Sequence, residues 1–404
     1  MGGRRSSLPA LMTNVVITSA ARTAIGSYGK SLAGVAPSDL GATAAKAAID
    51  RAGITPEQVE HVVFGNVIHT ETGDAYMARV VGMKAGIPKE TPAYTVNRLC
   101  GTGVQALVSA CQAIQTGEAD VTLAGGAESM SRAPMWLSQA RWGSKMGPAP
   151  IIDPVQGALT DPFHDIKMGV TAENLAERMG ISREEQDAFA VESHLRASTA
   201  QSEGRFDDEV VPVSVKVKRE VVDFLKDEHI RHGVDAAGMA KLPTIFRKEG
   251  GTVTAGNASG MNDAGAALVL MSDEKAKALG APVRARVLSY ASCGVDPEIM
   301  GIGPVPAVRK ALDKAGVSLD QIGVIELNEA FAAQALAVIK DLDLDPAKVN
   351  PNGGAIALGH PIAATGAAIT AKCLSEMDRG DHEFGLVTLC IGGGQGIALL
   401  LGRE

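Results

Sequence analysis

Ala48-Ile49-Asp50-Arg51-Ala52-Gly53-Ile54-Thr55 returns as Ala311-Leu312-Asp313-Lys314-Ala315-Gly316-Val317-Ser318, 263 residues further on. The same shift sets Thr102-Gly103 on Thr365-Gly366, Asn97 on His360 and Cys100 on Ala363. Val121-Thr122-Leu123-Ala124 then resembles Val387-Thr388-Leu389-Cys390 at a shift of 266, so a few residues are inserted. Three matches in one order make the two ends of the chain two copies of one unit.

Around these matches short apolar runs alternate with Ala-rich helical stretches. Asn14-Val15-Val16-Ile17-Thr18 is followed by the stretch from Leu40 to Ala52 and then by Val62-Val63-Phe64. This is α/β patterning. The middle of the chain breaks it. Residues 132–251 hold Pro-rich loops, helical stretches from Ser182 to Gly204 and a charged segment. They read as an insertion lying over the core rather than as a separate domain. The expected organisation is an N-terminal extension at 1–13, an N-terminal half at 14–131 and 252–276, the insertion at 132–251, and a C-terminal half at 277–404. Two copies of an α/β unit pack about a pseudo-twofold axis, and a site is expected where their equivalent loops meet. Cys100, His360 and Cys390 are therefore expected to converge.

The chain has 404 residues, a formal net charge of −8 and five cysteines. Its acidity argues against nucleic acid as a partner. A local basic patch could still bind a small anion. No apolar run approaches a membrane span and no secretory signal is visible, so a cytoplasmic, non-membrane protein is expected. The cysteines, at 100, 111, 293, 373 and 390, have no close-paired spacing. That argues against a disulfide framework or a zinc site and for a reducing compartment.

Four segments carry candidate chemistry. In Asn97-Arg98-Leu99-Cys100-Gly101-Thr102-Gly103 the thiol precedes a helix, whose positive end favours a thiolate. Alone, that segment is equally a turn with a buried structural cysteine. In Asn352-Gly353-Gly354-Ala355-Ile356-Ala357-Leu358-Gly359-His360-Pro361 a histidine is fixed by proline in register with the cysteine loop. As a neutral base it can take a thiol proton. In Leu389-Cys390-Ile391-Gly392-Gly393-Gly394-Gln395-Gly396 a thiol ends a strand before a glycine-rich turn whose N–H groups can hold an oxyanion. A phosphate loop is the alternative, but no lysine follows and the spacing is not that of a Walker loop. In Glu326-Leu327-Asn328-Glu329-Ala330-Phe331, Asn328 follows a strand and can orient a water or cap a helix.

Together NRLCGTG, NEAF, GGAIALGHP and CIGGGQG resemble the signature blocks of the thiolases, the acetyl-CoA acetyltransferase and 3-ketoacyl-CoA thiolase family. Thr254-Ala255-Gly256-Asn257-Ala258-Ser259-Gly260 and Met168-Gly169-Val170-Thr171-Ala172-Glu173-Asn174 support the resemblance, which runs from about Asn14 to the C-terminus. It implies an α/β thiolase fold, two pseudo-symmetric αβαβα halves in a five-layered arrangement with an inserted loop domain over the coenzyme A site. It implies a ping-pong Claisen condensation of two acetyl-CoA to acetoacetyl-CoA and CoA, or the reverse thiolysis. Cys100 is then the acylated nucleophile and His360 the base that takes its proton. Cys390 is the acid/base at the substrate α-carbon, and Asn328, through a water, steadies the enolate with His360. The Cys100 and Gly392 N–H groups hold the acyl carbonyl, where one donor is typically worth ~3 kcal/mol of barrier. Ser259, Met168, Ala258, Gly256, Phe331 and Ala330 line the substrate; Lys216, Lys218, Arg219, Arg231 and Lys248 offer charge for its phosphates, with a solvated charged face the alternative and the favoured reading for any single one.

The resemblance implies no cofactor or metal, with acyl-CoA thioesters as substrates. It also implies a homotetramer (a dimer of dimers) with a subunit contact near the loop from Gly125 to Arg132. The blocks NRLCG, RAPMWL and DPAKVNPNG most resemble bacterial β-ketothiolases of polyester-precursor synthesis. Two positions depart from the family pattern. Ala363 replaces a glycine, where its methyl is expected to face the nucleophile, and Lys167 replaces a histidine beside the ligand. Rival expectations are a broader-chain thiolase of fatty acid β-oxidation, a decarboxylating ketosynthase or hydroxymethylglutaryl-CoA synthase, and a thiolase-like CoA- or lipid-binding protein without turnover.

Overall fold

A computed structural model describes residues 13–143 and 145–403. All of the expected N-terminal extension except Thr13 lies outside them. The N-terminal half contains β1 (Val15–Thr23), α1 (Pro37–Arg51), β2 (His61–Gly65), α2 (Met77–Lys84), β3 (Ala93–Val96), α3 (Thr102–Gln115) and β4 (Val121–Ser129). After α4 (Met168–Met179) and α5 (Arg183–Ser202) the chain returns to this half as β5 (Asn262–Ser272). The C-terminal half repeats the order with β6 (Ala285–Gly294), α6 (Pro304–Ala315), β7 (Ile322–Leu327), α7 (Ala332–Leu342), α8 (Ile362–Gly380), β8 (Phe384–Ile391) and β9 (Gln395–Gly402).

The strand order is β7-β8-β9-β6-β1-β5-β4-β2-β3. Outward from the β6–β1 seam, each half runs first, last, fourth, second strand. The third strand of the C-terminal half is reduced to a parallel bridge between Ile325 and Val349. The seam itself is short, pairing Val16 with Arg286 and Ile17 with Ala285. Strands β4 and β5 are buried along their whole length, which is why they read as continuous apolar runs rather than as alternation.

Three apolar clusters define the layers. One joins α1 and α2 to the outer face of the N-terminal sheet. Another joins α6 and α7 to the C-terminal sheet. The largest lies between them and is built from α3 and α8 with both sheets. The two central helices meet at Gly103 and Gly366, the residues that the repeat superposes. A Cβ on Gly103 would lie 2.4 Å from the Ala367 nitrogen, and one on Gly366 2.5 Å from the Val104 nitrogen. Only glycine allows that approach.

The segment 132–251 is anchored to the core rather than free of it. Val210–Val211 pairs in parallel with Arg22 and Thr23 of β1. Beneath that contact the buried Arg22 guanidinium pairs with Glu209 at 2.7 Å and Asp227 at 2.8 Å. Among the described residues no helix is long and apolar enough to cross a membrane.

Candidate active site

Cys100 lies in a single 3-10 turn, Leu99–Gly101, just ahead of α3. Leu99 adopts a left-handed conformation at φ 46°. Such backbone costs about 1–3 kcal/mol in a residue with a side chain. Local hydrogen bonds hold it: the Leu99 N–H donates to Asn97 Oδ1 at 2.9 Å, and the Arg98 N–H to Thr102 Oγ1 at 2.8 Å. The half-buried Cys100 side chain packs on a cluster containing Ile68, Met130, Val155 and Ile362.

His360 sits at the start of α8, after Gly359 and before Pro361. Its N–H donates to Asn262 Oδ1 at 2.9 Å. Ring Nδ1 lies 2.7 Å from Thr365 Oγ1, whereas the buried Nε2 has no hydrogen-bond partner. Burial lowers the imidazole pKa to about 4, so the resting ring is neutral.

The Cys100 thiol departs from the sequence expectation. Burial raises its pKa to about 11, against the Gly392 N–H and its own N–H, which favour the thiolate; the Glu128 charge adds to the rise. Desolvation thus outweighs the helix end, and the resting sulfur keeps its proton. Cys390, fully buried at the end of β8, is raised further above the usual thiol range by burial and then by Cys100 nearby.

Cys100 and His360 meet at a cavity of ≈590 Å³. Its wall includes Cys100, His360, Gly392, Met168, Ala258, Ser259, Ala330 and Phe331. Three expected residues are not on that wall. Cys390 packs behind it, against Met168, Met300 and Ala330. Gly256 is turned into the insertion, where a Cβ would lie 2.4 Å from Leu242 and 2.7 Å from the Met239 sulfur. Asn328 is buried beside a separate chamber of ≈20 Å³, with both amide atoms unpartnered.

Of the five proposed cations only Arg231 reaches the large cavity; Lys167 joins it there, beside His229, whose ring burial and then Arg231 keep neutral. Lys216 belongs to the strand Val213–Val217, and Lys218 and Arg219 form the turn of the hairpin that follows. The Ala363 methyl does not line the cavity. Ala363 is buried at the start of α8 and its N–H donates to Glu128 Oε2 at 3.1 Å.

Sequence reasoning missed Asn262, Thr365 and Glu128. Asn262 is 98 residues from His360 in the chain. Thr365 did carry a signal, since the repeat superposes it on Thr102, which braces the cysteine turn.

The model of the thiolase N-terminal domain matches residues 15–274 and that of the thiolase C-terminal domain residues 281–403. Beta-ketothiolase BktB of Cupriavidus necator is 56% identical over 96% of this chain and 99% of its own. An acetyl-CoA acetyltransferase of Pseudomonas aeruginosa is 52% identical over 97% of this chain and all of its own length. The crystal structure of the Bacillus anthracis acetyl-CoA acetyltransferase superposes with a TM-score of 0.95 at 48% identity, covering 97% of this chain and 99% of that one. Human mitochondrial 3-ketoacyl-CoA thiolase in complex with CoA gives 0.94 at 45% identity, covering 98% and 99%.

Proposed function

The chain belongs to the thiolase family, and from that premise we propose that it is an acetyl-CoA C-acetyltransferase that condenses two acetyl-CoA and runs the reverse thiolysis. The observation that carries the reading is the convergence, at one cavity, of a protonated thiol, a neutral imidazole with a free Nε2 and a backbone N–H aimed at the sulfur.

In the first half-reaction Cys100 Sγ attacks the thioester carbonyl and its proton passes to His360 Nε2. The Cys100 and Gly392 N–H groups hold the oxyanion. Coenzyme A leaves with the proton of Cys390. The Cys390 thiolate then removes the α-proton of a second acetyl-CoA. Asn328, through a water, and His360 receive the enolate oxygen. The enolate carbon attacks the acetyl group on Cys100, whose thiolate leaves and regains its proton. Two sulfurs serve because a second base must work while the first carries the acyl group. The titrations of two such neighbours belong to the pair. The thioester acidifies its own α-proton, so the reaction asks for no cofactor beyond its acyl-CoA substrates.

Radiolabelled acetyl-CoA tests the assignment. Cys100→Ala is expected to take up no label, and Cys390→Ala to label but form no acetoacetyl-CoA. Labelling of Cys100→Ala at the wild-type level would refute the roles.

A second reading, a thiolase for longer 3-ketoacyl chains, is favoured by the apolar wall of Met130, Leu159, Met168, Met300 and Ile362. A homotetramer is supported by the exposed Met135, Trp136, Leu137, Trp142, Met146 and Ile151. That segment replaces the stretch from Gly125 to Ser129, which is buried in β4. Five free thiols suit a reducing compartment, and the cytoplasm is our placement.

A further inference from the structure

His360 faces a difficulty that the two half-reactions create. After taking the Cys100 proton the ring is an imidazolium, yet its site is buried and disfavours that charge. The ring needs a hydrogen on Nε2 for the enolate oxygen, so the proton it can give up is the one on Nδ1. Nδ1 meets one group, the Thr365 hydroxyl at 2.7 Å. A hydroxyl both accepts and donates, so it can take a proton on one side and release one on the other.

On its far side Thr365 lines the ≈20 Å³ chamber, together with Asn328, Glu326, Lys372 and Arg22. That volume holds one water, since about 10–15 Å³ is enough. Most of its wall is apolar, but unpartnered polar atoms border it: Glu326 Oε1 and both amide atoms of Asn328. Glu326 is buried, Oε2 lies 2.9 Å from Lys372 Nζ, and Oε1 has no hydrogen-bond partner. A carboxylate oxygen without a partner, at the wall of a water-sized chamber, is an acceptor for a proton.

We propose that Thr365, a chamber water and Glu326 form a relay that carries the Nδ1 proton of His360 away during acylation and returns it during condensation. It rests on the thiolase reading above. The balance closes. The Cys100 proton arrives at Nε2; the Nδ1 proton moves to Thr365 Oγ1, the hydroxyl proton to the water, and a water proton to Glu326, which becomes a carboxylic acid. His360 is left neutral with its hydrogen on Nε2. When the Cys100 thiolate departs from the product, it takes the Nε2 proton, and the chain runs backward to restore Glu326 and Nδ1–H. Thr365 and Glu326 are positioning residues here, since neither touches substrate. Burial, which raises the Glu326 pKa to about 7 even with Lys372 beside it, keeps the carboxyl near the balance point for such storage.

The test uses Thr365→Val, Thr365→Ser, Glu326→Gln and the double variant of Val and Gln, assayed for acetoacetyl-CoA thiolysis. Thr365→Val is expected to lower kcat by about 10- to 100-fold with KM unchanged, as loss of a histidine's outer partner does at metal sites. Thr365→Ser should restore it to near the wild type. The double variant should be no slower than the slower single, because both break one chain of transfers. Multiplied losses in the double variant, or a Thr365→Val enzyme with wild-type kcat, overturn the relay. Should Glu326→Gln fail to fold, the contrast between valine and serine at 365 still decides. An inactive wild type would instead sink the thiolase reading, which separates the two failures.

Discussion

At Cys100 two fields oppose each other. The Gly392 N–H and the residue's own N–H pull toward the thiolate, while burial and the Glu128 carboxylate push toward the thiol. The push wins, and the sign gives a prediction. With a pKa near 11 the thiolate is a trace species at neutral pH. Alkylation of Cys100 by iodoacetamide in the unliganded enzyme should therefore rise about tenfold per pH unit from 7 to 10, without levelling. A plateau near pH 7 would show a thiolate stabilised as at other helix ends. That Cys100, His360 and Gly392 share one cavity wall was legible through the repeat and the resemblance of the blocks taken together, since each segment alone had another reading. Their protonation was not, since it depends on which atoms crowd round them after folding. Asn262 was invisible for a related reason: it serves through an amide oxygen that any asparagine has.

Helices α3 and α8 are the elements on which the site is mounted. Cys100 precedes one, His360 precedes the other, and they cross at Gly103 and Gly366. Gly103→Ala would place a methyl within 2.4 Å of the Ala367 nitrogen. Alanine's helix preference of about 1 kcal/mol cannot offset that overlap, which typically costs about 1–3 kcal/mol or more. The expected result is a lower midpoint in urea and a fall in kcat, because separating the helices also separates sulfur from imidazole. An unchanged midpoint would mean that the helices give way freely. At this scale the repeat in the sequence was an accurate guide. It paired the two glycines that touch and the two threonines that brace the catalytic turns. It did not show that the third strand of the C-terminal half shrinks to one bridge at Val349.

Across the whole molecule the exposed apolar segment around Trp142 and Met146 is the largest departure from an ordinary surface. Trp142 is 86% exposed and Met146 96%. Replacing both with serine is expected to shift the sedimentation coefficient from that of the proposed tetramer to that of a dimer. An unchanged value would remove the segment from the interface. By itself the sequence determined the α/β class, the duplication and the family chemistry, because periodic apolar runs, a self-match and four catalytic blocks are local patterns. Tertiary structure alone decided that Cys390 lies behind the cavity wall, that Gly256 and three basic residues of the hairpin face elsewhere, and that a water-sized chamber lies against Thr365, the partner of His360. Those outcomes depend on which segments pack together, near or far in the chain, and on the desolvation that packing imposes, neither of which a local pattern encodes.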